Sequence, residues 1–321
     1  NISHSTFYNN SGSNGGAIYS FISNDLTITD SSIDSNMATG TGGNPGNGGN
    51  GGAIGVDGLD RIVNVCRTQI TNNSANTLAG GIYAVMYDST SETNLTDVLV
   101  KNNVNLHTSN GSGGAYFQDG SINIKRSSFI GNQARSSAGL NLIGQMEAEI
   151  TNSTFYGNIA SESLGGAMNV QDSVVLTIRH STIVGNQALF AAGISVPSPN
   201  QITMYNSILA NNIGDNEHNQ WNIRNEVSGS DNLQYPQNRP NSQAEIPATP
   251  DVMWAEPLLS LPAMNGGFTP TMATNGLSPG VNQASVAQST AQDQRLLDRY
   301  LSPDLGAYEL QADLIFADGF N

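Results

Sequence analysis

The chain contains a single cysteine, Cys66, among its 321 residues. That excludes an internal disulfide and a cysteine-based zinc site. Charge is also scarce: 12% of residues are charged, and 26 acidic residues outnumber 11 basic ones, for a formal net charge of −15. Such a surplus argues against nucleic acid and against anionic membrane surfaces as partners, and it keeps an exposed protein soluble by self-repulsion. No stretch is long and apolar enough to span a bilayer. No apolar run has helical spacing or reaches helix length. No Ser/His/Asp set, metal motif or phosphate loop stands out, so no catalytic residue, metal or cofactor is assigned.

What the chain has instead is Gly, Asn and Ser in a repeating order. A nine-residue pattern ending on asparagine occurs at Ile2–Asn10, Ile28–Asn36, Val65–Asn73, Leu95–Asn103, Ile124–Asn132, Ile150–Asn158, Ile178–Asn186 and Met204–Asn212. The closing asparagines are 26, 37, 30, 29, 26, 28 and 26 residues apart. Self-similarity at that period marks a repeat architecture. Between the copies, a Gly-Gly or Ala-Gly pair precedes an apolar residue, as in Gly15-Gly16-Ala17, Gly51-Gly52-Ala53, Gly80-Gly81-Ile82, Gly113-Gly114-Ala115, Ala138-Gly139-Leu140, Gly165-Gly166-Ala167 and Ala192-Gly193-Ile194. Each unit thus holds short strand-like runs separated by turn residues.

Position 1 of each copy is aliphatic or Met, position 6 is Phe, Ile, Val or Leu, and position 4 is Ser, Thr68 or Val98. These positions are assigned to one interior face. The final asparagines, Asn10, Asn36, Asn73, Asn103, Asn132, Asn158, Asn186 and Asn212, then fall at one corner of every coil, where stacked amides can bond to one another. A structure that stacks identical residues once per turn of this length is an all-β, single-stranded parallel β-helix. Eight coils at the inter-strand spacing make a rod of roughly 40 Å.

The Gly-Gly-Ala-Ile signatures (15–18 and 51–54) and the Phe-x-x-Asn signatures (Phe7–Asn10, Phe129–Asn132, Phe155–Asn158) resemble polymorphic outer-membrane protein repeats. More broadly they are similar to right-handed parallel β-helix proteins with a pectin-lyase-like fold. The C-terminal third presents Glu256-Pro257-Leu258-Leu259, Asn265-Gly266-Gly267-Phe268-Thr269-Pro270-Thr271, Ser278-Pro279-Gly280, Asp293-Gln294-Arg295 and Asp304–Glu309 in order. That series resembles the bacterial choice-of-anchor Q domain, with Gly280 and Leu296 where that pattern has Ala and Gly. The resemblance implies a secreted or surface-displayed bacterial protein, associated with the outer membrane. It implies no particular activity.

The expected organisation is parallel β-helix coils over 1–212, an irregular C-terminal cap and flap with the anchor-Q-like region over 213–311, and a short tail over 312–321. Trp221 and Trp254 are expected to anchor the cap. Gly40–Asn50 reads as a loop budding from one coil; it lacks the regular aspartates of calcium-binding repeats, so no tight calcium site is expected there. No signal peptide or capping element precedes the first copy. That leads us to expect a missing N-terminal part of the same protein, with further coils and an export signal. The tail, 312–321, resembles an Ile-Phe-x-Asp-Gly-Phe ending of exported proteobacterial proteins and is read as an export or attachment tag.

Three groups of side chains are candidates for function. Position 3 forms a corner column of His4, Asp30, Arg67, Asp97, Arg126, Asn152, His180 and Asn206. With Lys125 and Arg179 it holds the base and cation types that a polysaccharide lyase uses. A solvated corner of mixed charge is the simpler reading. Asp57, Asp88, Asp119 and Asp172 follow the glycine pairs and could supply the two carboxylates of a glycoside hydrolase. Asp57-Gly58 and Asp119-Gly120 are, however, common turn dipeptides. After the glycine pairs, the column Ile18, Ile54, Tyr83, Tyr116, Asn141, Met168, Ser195 would stack Tyr83 on Tyr116 in consecutive coils, either as a sugar-binding surface or as internal packing. The expected binding residues are Tyr83, Tyr116, Asp88 and Asp119. The expected role is structural or adhesive, with a glycan or another cell-surface component as partner. A polysaccharide lyase or glycoside hydrolase is the alternative.

Overall fold

In a computed structural model the described residues are 1–22, 25–42, 48–107, 111–171, 173–196, 202–215, 219–240 and 242–311. The tail, Asp172 and the middle of the 40–50 loop lie outside them. The chain folds into an all-β parallel solenoid with three sheets of 14, 10 and 8 strands. The eight-stranded sheet contributes one strand per turn, giving about eight turns. The one helical element among the described residues is a single 3-10 turn at Val286–Gln288. No helix there is long and apolar enough to cross a membrane.

Each nine-residue copy crosses two sheets because it bends twice in the left-handed region. Position 3 has φ between 44° and 58° in all eight copies, from His4 to Asn206. Position 8 has φ between 53° and 68° and is Asn, Ser or Gly (Asn9, Ser35, Asn72, Asn102, Gly131, Gly157, Gly185 and Asn211). Asn, Asp and Gly enter this region at least cost, which explains their recurrence at these corners. The bends interrupt strict alternation and turn positions 1, 4 and 6 inward. Position 1 stacks as Ile2, Ile28, Val65, Leu95, Ile124, Ile150, Ile178 and Met204. Position 6 stacks from Phe7 through Leu209, with Phe129 on Phe155 at 4.9 Å between centroids and 6° between planes. Side chains of one type lie above their own kind, and the resulting core runs the length of the rod.

The asparagine corner is a continuous amide chain. Each Nδ2 donates to Oδ1 of the next copy's asparagine, at 2.8–3.1 Å from Asn10 through Asn212. Each of these Oδ1 atoms also accepts the preceding asparagine's backbone N–H. The second Nδ2 proton goes to the position-6 carbonyl of the previous turn, as from Asn158 to Phe129 at 2.9 Å. The interior amides are therefore fully bonded, the condition under which buried polar groups are tolerated. Asn222 continues the chain beyond the repeats, accepting from Asn212 at 2.9 Å. Position 4 forms a parallel serine column. The hydroxyls of Ser31, Ser127, Ser153, Ser181 and Ser207 each accept the backbone N–H of the preceding copy's position 4, and each donates to the carbonyl two residues earlier.

The sheets run on past residue 212, where the repeat pattern fades. Ser228–Ser230, Leu233–Tyr235 and Met253–Trp254 add further parallel strands. Asn232 takes the place of the position-4 serine and accepts Ser207 N–H at 2.9 Å. Gln234 occupies the inward column, and its amide bonds the Ile246 carbonyl and Ala248 N–H of a segment crossing the end of the core. Val227, Ile246 and Ala248 close that end. Trp221 packs against Gly214, and Trp254 pairs in register with Gln234.

Residues 256–310 then run back along the outer face of the second sheet as a strap. The strap docks through the residues that carry the C-terminal motifs. Gln294 bonds Ser128, Thr154 and Thr269 at 2.7–2.8 Å; Thr269 donates to the Arg126 carbonyl; Ala307 N–H donates to Thr182. Behind these contacts lies a buried ion network. Arg295 pairs with Asp293 and stacks 3.7 Å over the Tyr308 ring, and Arg299 pairs with Glu309 at 2.9 Å.

Candidate functional site

The strand after each glycine pair presents one column inward and one outward. The inward column is Ile18, Ile54, Ile82, Ala115, Leu140, Met168 and Ile194. The outward column is Tyr19, Gly55, Tyr83, Tyr116, Asn141, Asn169 and Ser195. The column read from sequence mixed the two: Ile18, Ile54 and Met168 belong inside. One residue of offset exchanges the faces of a strand, and Ala17, Ala53 and Ala167 insert that residue between the glycine pair and the inward column in three copies only.

Tyr83 and Tyr116 do stack in consecutive turns, with centroids 5.8 Å apart and planes at 20°. They are only 3% and 9% exposed, however, and pack with Ala79, Val85, Leu78 and Ile143. Asp119 is linked to Tyr116 through Gln118 and accepts Gln145 N–H at 2.7 Å. With φ of 58°, followed by Gly120 at 73°, it sits where the pairing register shifts between Gln118 and Gly120. Asp88 lies apart. Its carboxylate accepts backbone N–H groups from Asp60, Thr90 and Ser91 and hydroxyls from Thr90 and Ser91. Burial alone would raise its pKa, but these donors outweigh it and hold it down at about 2. That is the chemistry of a turn cap.

Asp57 is where the outward face converges. The Asp57-Gly58 pair lies inside strand Ile54–Gly58 and not in a turn. Its side chain is fully buried and accepts three phenol hydroxyls, from Tyr19 at 3.2 Å, Tyr83 at 3.3 Å and Tyr87 at 3.2 Å. Burial pushes its pKa up, against the hydroxyls that stabilise the anion. The same burial, followed by the field of Asp57, pushes Tyr19 up to about 12. Arg61 is buried beside this group, with one guanidinium N–H directed at the Asp57 backbone carbonyl and another at Ser20 Oγ. Gly55 makes the arrangement possible: a Cβ there would lie 3.0 Å from Tyr19 Cδ2 and 3.1 Å from the Gly15 nitrogen. The ring of Tyr19 leans across that gap to reach the next turn.

Around this centre the rings come to the surface. Tyr19, Phe21 and Tyr87 are 39%, 50% and 53% exposed, and Tyr19 stacks with Phe21 at 6.1 Å and 16°. Ile22 and Leu59 are exposed beside them, since Phe21 is in register with Asp57 and Tyr87 N–H bonds the Gly58 carbonyl. The sequence signal was present: Tyr19 follows Ile18 after one glycine pair just as Tyr83 follows Ile82 after another. Phe21 and Tyr87 carry no such signal.

The position-3 corner is tied up in pairs. Arg67 grips Asp30 and Arg126 grips Asp97, each through two N–H groups at 2.6–2.9 Å, and Arg179 bonds Glu149 at 2.7 Å. His180 is sealed under the strap, its Nε2 contacting Ser289 Oγ at 2.8 Å and Asn206 Nδ2 at 3.1 Å. Burial, followed by the charge of Arg299, lowers its pKa well below the ordinary value. Of Lys125, Arg126, Arg179 and His180, only Lys125 is exposed. Elsewhere a cleft of about 720 Å³ runs between the strap and the rod, lined by Tyr156, Val184, Ile213, Leu258, Leu261 and Met272 among others. No group of three or more His, Cys, Asp or Glu placed to hold a metal occurs among the described residues.

No family model matches the sequence. A comparison with curated proteins likewise finds no match. The repeat geometry accordingly fixes this chain as a parallel β-solenoid and nothing narrower.

Proposed function

We propose that the chain belongs to an exported bacterial surface protein, and that its solenoid is a rigid structural and adhesive rod that binds glycan through the aromatic surface of its first three turns. The observation that carries this reading is the stacked, half-exposed Tyr19–Phe21 pair with Tyr87 beside it. Flat amphipathic rings at the surface of a rigid strand suit the apolar faces of sugars at little cost in side-chain entropy. Apolar rings standing together in water otherwise mark an interaction surface. The low charge and net −15 fit exposure outside the cell. Kinship with pectin-lyase-like, polymorphic outer-membrane and anchor-Q proteins belongs to the same proposal and rests on the motif resemblance.

A glycan array probed with the wild type and a Tyr19→Ala/Phe21→Ala variant tests the binding. Retention of a glycan by the wild type and its loss by a folded variant are expected. Equal retention by both, or none by the wild type, would overturn the reading. Release of unsaturated or new reducing ends from a bound polysaccharide would make the protein an enzyme instead. Surface protease shaving in the native host tests the display.

A further inference from the structure

The three phenols around Asp57 fix the polarity of the surface above it. A phenol oxygen has one proton and two lone pairs. Tyr19, Tyr83 and Tyr87 all spend that proton on the buried carboxylate. Tyr83 is buried, which leaves Tyr19 and Tyr87 to face outward. What their oxygens can offer a ligand is lone pairs alone. These two phenols therefore accept hydrogen bonds from a ligand and donate none, and they stand over a carboxylate. The carboxylate of Asp57 takes the three phenol hydroxyls, while the buried Arg61 guanidinium lies on its backbone side, directed at the Asp57 carbonyl and at Ser20 Oγ. The stacked rings of Tyr19 and Phe21 flank this spot with their electron-rich faces.

A phosphate or carboxylate ligand would meet lone pairs and a negative charge. A neutral sugar would use the rings and bring no cation to the phenol oxygens. A protonated primary amine answers all three features, since it is cationic, carries only donors and sits well over aromatic faces. We propose that the Tyr19–Asp57–Tyr87 surface binds the ammonium group of an unacetylated amino sugar within a glycan. This rests on the glycan-binding reading above and names the sugar class.

The test compares a β-1,4-linked glucosamine tetramer with its fully N-acetylated counterpart by titration calorimetry, in low salt at near-neutral pH. The two probes differ only in the amine. The tetramer with free amines is expected to bind about tenfold more tightly, the scale of one charge-assisted hydrogen bond in a half-exposed site. Tyr87→Phe keeps the ring and removes the oxygen. It is expected to cut that preference several-fold, read as the ratio of the two affinities. It also avoids any folding defect that Asp57→Asn introduces. Equal affinity for the two tetramers overturns the amine assignment and leaves glycan binding standing. A preference untouched by Tyr87→Phe overturns the site. Tighter binding of a tetralysine peptide than of the amine tetramer overturns the sugar as carrier. If neither tetramer binds, the amine assignment falls, and the array separately decides the glycan reading.

Discussion

Replacing Asn158 by leucine keeps the shape of the side chain and removes all of its polar atoms. The amide lies in the middle of the corner chain and is fully buried. Its Oδ1 accepts the backbone N–H and the Nδ2 of Asn132, at 3.1 and 2.9 Å. Its Nδ2 donates to Asn186 Oδ1 at 2.8 Å and to the Phe129 carbonyl at 2.9 Å. Asn186 Oδ1 keeps the Asn158 backbone N–H after the change, so three groups lose a partner in a place water cannot reach. At ~1–2 kcal/mol for each buried group left unbonded, the variant should lose about 3–6 kcal/mol. Asn10→Leu is the internal control. Asn10 is exposed, and its side chain gives up one bond to Asn36, whose Oδ1 retains the Asn10 backbone N–H. It should cost under ~1 kcal/mol. Urea unfolding of both variants by far-UV circular dichroism, with midpoint and slope reported together, measures the difference. An Asn158→Leu loss no larger than that of Asn10→Leu would refute the idea that the amide chain stabilises the rod.

Three further outcomes follow from the geometry. Gly55→Val should displace Tyr19 from Asp57, because even a Cβ meets its ring at 3.0 Å; a lowered melting temperature and a Tyr19 absorbance titration shifted down from about 12 would show it. Gln294→Ala strips the strap of its bonds to Ser128, Thr154 and Thr269, and limited proteolysis should then cleave within 256–311 while the solenoid core survives. His180 is held neutral, with a folded pKa below the ordinary 6.5; the stability it contributes is complete above that pH and lost as pH falls from about 6.5 toward the folded value. His180→Asn should flatten that acid limb relative to wild type, and identical slopes on melting between neutral and mildly acidic pH would show that the histidine is uncoupled from the strap.

The parts of the fold that repeat were legible in the sequence, because stacking puts identical residues in identical surroundings. Asn132 over Asn158 and Phe129 over Phe155 are pairs that a column of text already displays. The continuation past 212 was hidden because Asn232 and Gln234 stand where the pattern has Ser and an apolar residue, yet each meets the bonding needs of its place. Strap docking joins residues about 140 apart, such as Thr154 and Gln294, and no local pattern reports such a pairing. The site was half legible. Tyr83 and Tyr116 were read as a stack, but whether a stacked ring is open or covered depends on Leu78 and Ala79, which come from the loop before the strand. Asp57 was misjudged because Asp-Gly signals a turn unless the neighbouring strands on both sides claim it, as Tyr19–Phe21 and Tyr83–Val85 do.

The asparagine corner also separates the length of a turn from its height. The turn from Asn36 to Asn73 has 37 residues and that from Asn132 to Asn158 has 26, yet both close with an Nδ2 to Oδ1 distance of 2.9 Å. The extra residues fall in sequence between strands Met37–Ala38 and Ile54–Gly58, and the spacing at the asparagine corner is unaltered. The rod thus behaves as a ruler with interchangeable side arms. Peptides grafted into the loops that precede the glycine pairs should be displayed at fixed axial intervals, each set by its rung and indifferent to the length of its neighbours.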